Sequence, residues 1–191
     1  MSYPTDPEFS RVSITSRHST VRSEARNGRT QVRSIGSQRW ALTGRYNDLT
    51  RAQFAPIFAF VMSQEGGVED FTVVPPVISD SSGTRTGAMA AVGAHTAGDT
   101  TVRVDGGTGT IKAGDFVKFA SHDKVYMVTA DFSSLSADLS IQPGLIAAVP
   151  DNSALTYNNV PFKVRLENEV QQWALSGYDR YNFEIDFIEV L

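Results

Sequence analysis

The chain has 191 residues, 41% of them hydrophobic, a net charge of −4 and no cysteine. That is room for one large domain or two small ones around a true core, and it excludes disulfides and thiolate metal sites. No run of about 18 apolar residues predicts a membrane span, and the polar start Met1 to Ser10, with Pro4 and Pro7, is unlike a signal peptide.

The N-terminal quarter is basic. Met1 to Arg51 holds nine arginines and four acids, a local balance of +5 that leaves −9 for the rest. Val12 and Ile14 alternate with Arg11, Ser13 and Thr15, which predicts a half-buried strand. Thr20 to Glu24 and Thr30 to Ile35 read as two strands joined through Asn27-Gly28, the strongest short hairpin signal. The segment from Ser16 to Ser37 is so poor in large apolar residues that it predicts an exposed arm that orders against a partner. Arg39 to Tyr46 predicts a strand with Trp40, Leu42 and Tyr46 on one face. Thr50-Arg51-Ala52-Gln53 fits a capping box. Phe54, Ile57, Phe58 and Val61 follow at helical spacing, so a core-facing helix is expected over about 50–63. Pro56 is a defect near its start, and Gly66-Gly67 is expected to end it.

Phe71 to Val74 predicts a strand stopped by Pro75-Pro76. Ser79 to Thr86 reads as a linker and sets a domain boundary. Thr100 to Val104 predicts a strand, and Asp105 to Gly109 a turn-rich loop. Phe116 to Phe119 and Val125 to Val128 read as a hairpin around Ala120 to Lys124, entered through a turn in which Gly114 is free to take positive φ. Leu135, Leu139 and Ile141 predict another strand, and Leu145 to Val149 a short apolar run. Strands recurring about every ten residues with turns between them predict a small barrel or sandwich.

Val160 to Leu166 predicts a strand, as does Val170 to Leu175. Tyr181, Phe183, Ile185 and Phe187 alternate with Asn182, Glu184, Asp186 and Ile188, a strand with an acidic outer face whose natural partner is Arg39 to Tyr46. The expected fold is mainly β: a β-sandwich-like domain with one helix, built from residues 1–78 and 158–191, interrupted by a linker and a separately folding β-barrel over 79–157.

Chemistry is sparse. His18, His95 and His122 lie far apart in polar segments, without ligand spacing. No nucleophile elbow, phosphate loop or zinc-protease motif occurs. Ser121 and Lys124 match a Ser-x-x-Lys spacing but sit in a hairpin loop rather than at a helix start. Asp105 to Gly109 lacks the acids of a calcium cage. Trp40, Trp173, Tyr178 and Tyr181 could form a sugar platform, but core packing is the expected role of residues on strands whose inner face must be filled. No enzyme activity, metal or cofactor is expected. The arginines lie singly rather than in a block, which argues against nucleic acid. Arg22, Arg26, Arg29 and Arg33, with Glu184 and Asp186, are the subunit-interface candidates; Glu189, Glu167 and Glu169 extend the acidic side, though charge pairing within one subunit is an equal alternative.

The order of Trp40 to Tyr46, "L-T-R-A-Q-F-A-P-I-F-A-F", "F-T-V-V-P-P", "I-K-A-G-D-F-V-K-F-A-S-H-D-K-V-Y-M-V-T", "P-F-K-V-R-L" and "Y-N-F-E-I-D-F-I-E-V" resembles distal-tail and baseplate proteins of tailed bacteriophages. The resemblance implies a structural virion component at the tail tip, a homo-oligomer in a three-fold or six-fold ring around the tail axis, touching tail tube and hub. It also implies an inserted β-barrel; no membrane partner is expected, for want of an apolar run long enough to span. A receptor- or carbohydrate-binding tail module is the alternative.

Overall fold

A computed structural model describes residues 1–34, 38–168, 172–176 and 180–191. The strands of the first and last thirds are β1 (Arg11–Arg17), β2 (Thr20–Glu24), β3 (Thr30–Ser34), β4 (Arg39–Leu49), β5 (Phe71–Val73), β12 (Phe162–Leu166), β13 (Trp173–Ser176) and β14 (Arg180–Glu189), with one helix, α1 (Arg51–Ser63). Between β5 and β12 come β6 (Thr86–Ala91), β7 (Thr101–Thr108), β8 (Phe116–Phe119), β9 (Val125–Val128), β10 (Ser136–Gln142) and β11 (Ala154–Thr156). The protein is mainly β, with one helix among the described residues and a closed six-stranded barrel.

The two ends of the chain build one antiparallel sheet in the order β1-β4-β14-β12-β5, with β13 on the free half of β14. The expected pairing of the C-terminal strand with the strand from Arg39 is its centre: Ile185 lies opposite Gly44 and Phe187 opposite Leu42. The period of two sends Phe183, Ile185 and Phe187 inward with Leu42 and Tyr46. Gly44 leaves a slot on that face for Phe9, whose ring would stand 2.4 Å from a Cβ there. Tyr3 also enters the core, and its N–H donates to Thr72 O at 2.8 Å. The polar N-terminal stretch is therefore part of the domain, pinned by two aromatic rings.

Helix α1 packs on β4 and β14 through buried Phe54, Ile57 and Val61, with Phe58 half-buried. Thr50 N–H donates to Gln53 Oε1 at 3.0 Å, within the expected capping box. Pro56 lies on the exposed face, and the helix stops at Ser63, before Gly66 and Gly67 turn the chain with φ of 68° and 96°.

The barrel closes in the order β10-β7-β6-β11-β8-β9. Its core is apolar, with Val102, Val104, Val117, Tyr126, Val128, Leu139 and Ile141 fully buried or nearly so. The expected hairpin is β8 and β9, with Gly114 at φ 98° before it. Two strands, β6 and β11, lack a legible pattern: Gly-Ala-Met-Ala-Ala reads poorly as β, and three residues are too few for a period. The stretch from Asp105 is strand through Thr108, not loop. It pairs with β6 across a register shift, and Gly106 and Gly107 take φ of 89° and 62° there. Their backbones approach so closely that a Cβ would meet Ala88 O at 2.4 Å or Thr86 O at 2.7 Å, the bulge that glycine inside a strand signals. Leu135 is exposed and outside β10.

Candidate assembly surface and the junction beside it

After Arg17 the chain leaves the sheet, and β2 and β3 form a hairpin that, among the described residues, pairs only with itself. Its turn is closed by Ala25 N–H to Arg29 O at 2.8 Å and Gly28 N–H to Ala25 O at 2.9 Å, with Gly28 at φ 78°. Arg29 N–H also donates to Asn27 Oδ1 at 3.2 Å. Every residue of both strands is exposed, Val21 and Val32 included. Arg22 lies opposite Val32 and Arg33 opposite Val21, so each face carries one valine beside one guanidinium, and neither has an apolar stripe to bury. Arg26 and Arg29 flank the tip. Residues 20–34 hold four arginines against Glu24, a net +3. Among the described residues, none of the four has a carboxylate partner.

The acidic candidates are placed differently. Glu184 and Asp186 share the outer sheet face, where Arg45 Nε meets Glu184 Oε2 at 2.8 Å. Asp186 accepts from Thr43 Oγ1 at 2.6 Å and from Asn168 Nδ2 at 2.9 Å. Glu167 pairs with Arg17. Glu184 and Asp186, with Arg45, Asn47, Asn168 and Asn182, line an open groove of 510 Å³. Exposed pairs of this kind contribute about 0.2–1 kcal/mol each, so they orient side chains rather than hold the sheet. Glu169 lies outside the described residues. Glu189 is not on this face: it is in step with Phe183, Ile185 and Phe187, points inward and is fully buried.

Glu189 instead forms the seam between sheet and barrel. Its carboxylate meets Lys124 Nζ at 2.5 Å and accepts Val125 N–H at 2.9 Å and Trp40 N–H at 3.0 Å. Lys124 also donates to Gln38 Oε1 at 2.7 Å, and Trp40 Nε1–H to Val125 O at 2.8 Å. Both charged side chains have zero exposure. Burial pushes the Glu189 carboxyl up and the Lys124 ammonium down, and their mutual attraction opposes both shifts. Phe116 fills the space beside them, edge-on to Trp40 and to Phe162. Phe116 and Val125 are barrel residues that belong to the sheet's core.

A second clamp holds the expected linker. The Asp115 carboxylate accepts Ser82 N–H at 2.9 Å, Ser82 Oγ–H at 2.7 Å, Lys112 N–H at 2.9 Å and the Ser81 hydroxyl. Burial would raise this carboxyl, but the donors outweigh it and hold it below its ordinary value. The "I-K-A-G-D" turn thus folds around its aspartate. Asp123 bridges Lys118 and Lys163 from barrel to sheet, and these two donors hold its carboxyl low as well.

The loop Ser121 to Lys124 does bring a serine against a histidine. His122 Nδ1 lies 2.9 Å from Ser121 Oγ, and Nε2 lies 2.7 Å from Tyr126 OH. Tyr126 OH also accepts Ile146 N–H at 3.1 Å. The tautomer sets the direction of both His122 contacts: with the ring proton on Nδ1 the ring donates to Ser121 Oγ and accepts from Tyr126 OH, and with it on Nε2 both directions reverse. Burial lowers the His122 pKa and favours the neutral ring. His18 is exposed, and His95 Nε2 accepts Arg103 N–H at 3.2 Å. Among the described residues no group of three or more acids and histidines could hold a metal ion, and no helix is long and apolar enough to cross a membrane. Trp40 is core, and Tyr181 stacks on Phe54 at 4.6 Å; Tyr178 lies outside the described residues.

The sequence signalled the arm through its lack of apolar residues. Nothing local signalled Lys124, whose carboxylate partner lies 65 residues away; Asp115 takes one donor from Lys112 in its own turn and the others from 33 and 34 residues away. Compared with known proteins, the chain matches no family model and no curated protein.

Proposed function

We propose that this chain is a structural subunit of a tailed-bacteriophage tail tip or baseplate, which assembles with copies of itself into a ring around the tail axis and meets the tube and hub proteins there. It works by shape and charge, not by catalysis, and its place is the virion. The phage attribution rests on the ordered sequence resemblance from Trp40 to Val190. The assembly reading is carried by one observation: a fully exposed hairpin of net +3 that, among the described residues, joins no other strand. A lone two-stranded hairpin is marginal in water, and four guanidinium groups without carboxylates suit an acidic neighbour more than solvent. The carbohydrate reading has less behind it, because none of the exposed large apolar residues is aromatic where side chains are described, which leaves out Trp173 and Tyr178.

The test is native mass measurement at high protein concentration, with a search for the chain in purified particles. Closed oligomers and virion incorporation are expected. A persistent monomer that is absent from particles would sink the proposal.

A further inference from the structure

The hairpin tip carries chemistry that assembly does not use. Asn27 is followed by glycine, whereas Asn47, Asn152, Asn158, Asn159, Asn168 and Asn182 are each followed by a residue with a side chain. A side chain on the following residue hinders attack of its backbone nitrogen on the asparagine amide; glycine has none and leaves the backbone free to reorient. The tip is open: nothing lies within 4 Å of where a Gly28 Cβ would stand. In the closed turn the attack is held off, because Gly28 N–H is donated to Ala25 O and Asn27 Oδ1 accepts Arg29 N–H. Those bonds belong to an exposed two-stranded hairpin, so they open at little cost. Arg26 and Arg29 then favour the negative charge that builds on the attacking nitrogen.

We propose that Asn27 is a self-modification site at which the side-chain amide becomes a carboxylate. The Gly28 nitrogen gives its proton to hydroxide and bonds to Asn27 Cγ. Nδ2 takes a proton from the water so formed, the Cγ–Nδ2 bond breaks, ammonia leaves, hydroxide is returned, and a five-membered imide remains. Water then adds across one of the two imide C–N bonds. Opening on one side gives aspartate; opening on the other gives isoaspartate, with the side-chain methylene in the main chain. Nothing is oxidised or reduced. Either product takes residues 20–34 from +3 to +2. Isoaspartate also lengthens the turn, so that Gly28 N–H no longer reaches Ala25 O. The inference stands whatever the arm binds.

The experiment holds the purified full-length protein at mildly alkaline pH, cleaves it after glutamate, and localises amide loss by peptide fragmentation. A denatured sample of the same chain is the reference. Conversion at residue 27 is expected to outpace the sheet-bound asparagines by roughly tenfold or more, as local opening costs range from near zero to the global stability. It should speed up with base and release ammonia. Asn27→Gln, whose longer side chain closes the imide ring reluctantly, should stop it while the thermal transition stays in place. An intact amide at Asn27 when the denatured reference has converted would overturn the proposal. So would equal acidification of the Asn27→Gln chain.

Discussion

Glu189 and Lys124 show how much one side chain decides here. The buried pair has good geometry and satisfied neighbours, yet removing two charges from water costs several kcal/mol per ion, so the pair is better understood as a locator than as a stabiliser. Glu189→Gln leaves the Lys124 ammonium buried beside amides alone and should cost about 3–5 kcal/mol in urea unfolding. Lys124→Met combined with Glu189→Gln removes both charges, while the amide oxygen introduced at position 189 still accepts Val125 N–H, and most of the loss should return. A double variant as unstable as the single one would show that the charges themselves hold the seam. Asp115 makes a second case. Its folded-state carboxyl is held below its ordinary value. Its contribution is therefore full above roughly pH 4 and is lost as pH falls through the lowered value. Asp115→Asn should cost about 1–3 kcal/mol at neutral pH and flatten the acid limb of the stability curve. An unchanged acid limb would assign that limb to other groups.

At the scale of elements, the β2–β3 hairpin and β7 take opposite risks. Both strands of the hairpin are exposed throughout, so their outward side chains can change with little harm to the fold. Replacing Arg22, Arg26, Arg29 and Arg33 by serine should weaken assembly, read by native mass, and leave the monomer's thermal transition within a few degrees, as surface substitutions usually move stability by at most about 0.5 kcal/mol. Normal assembly across salt concentrations would free the arm from that role, and lost DNA binding would point to nucleic acid instead. Strand β7 tolerates almost nothing at its bulge. Gly106→Ala must hold φ near 89° and place a Cβ 2.4 Å from Ala88 O, a strain of about 1–3 kcal/mol before the clash is counted. Its unfolding midpoint should fall accordingly; a variant with the parent midpoint would mean that β6 shifts freely.

For the molecule as a whole, the question is whether the barrel is an appendage. Its ends meet: Tyr157 OH donates to Gly87 O, and Val160 N–H to Ser79 O at 3.0 Å, so a short link can replace 87–157. The sheet would then keep its own strands but lose Phe116 and Val125 from its core, and Glu189 would lose Lys124 and the Val125 N–H while returning to water. Deletion alone should lower the sheet's stability by about 1.5–3 kcal/mol for each apolar side chain it uncovers. A deletion variant that unfolds like the parent would show that the seam carries no energy and that the barrel is a passenger.

The sequence by itself determined the elements with strong periods. Phe183, Ile185 and Phe187 fix the face of β14, Phe54, Ile57 and Val61 fix that of α1, and Asn27-Gly28 fixes the hairpin turn, because each pattern repeats within a few residues. It also contained the placement of Glu189, which the period of two puts in step with those phenylalanines; the charge of the residue hid it. Tertiary structure decided the rest. Strands β6 and β11 are strands because the barrel must close, since their own residues prefer nothing. Tyr3 and Phe9 enter the core because Gly44 leaves room for one of them. Lys124 acquires its role, and Asp115 most of its donors, from partners far away in the chain, and only folding sets which distant backbone and side-chain groups a buried charge will meet.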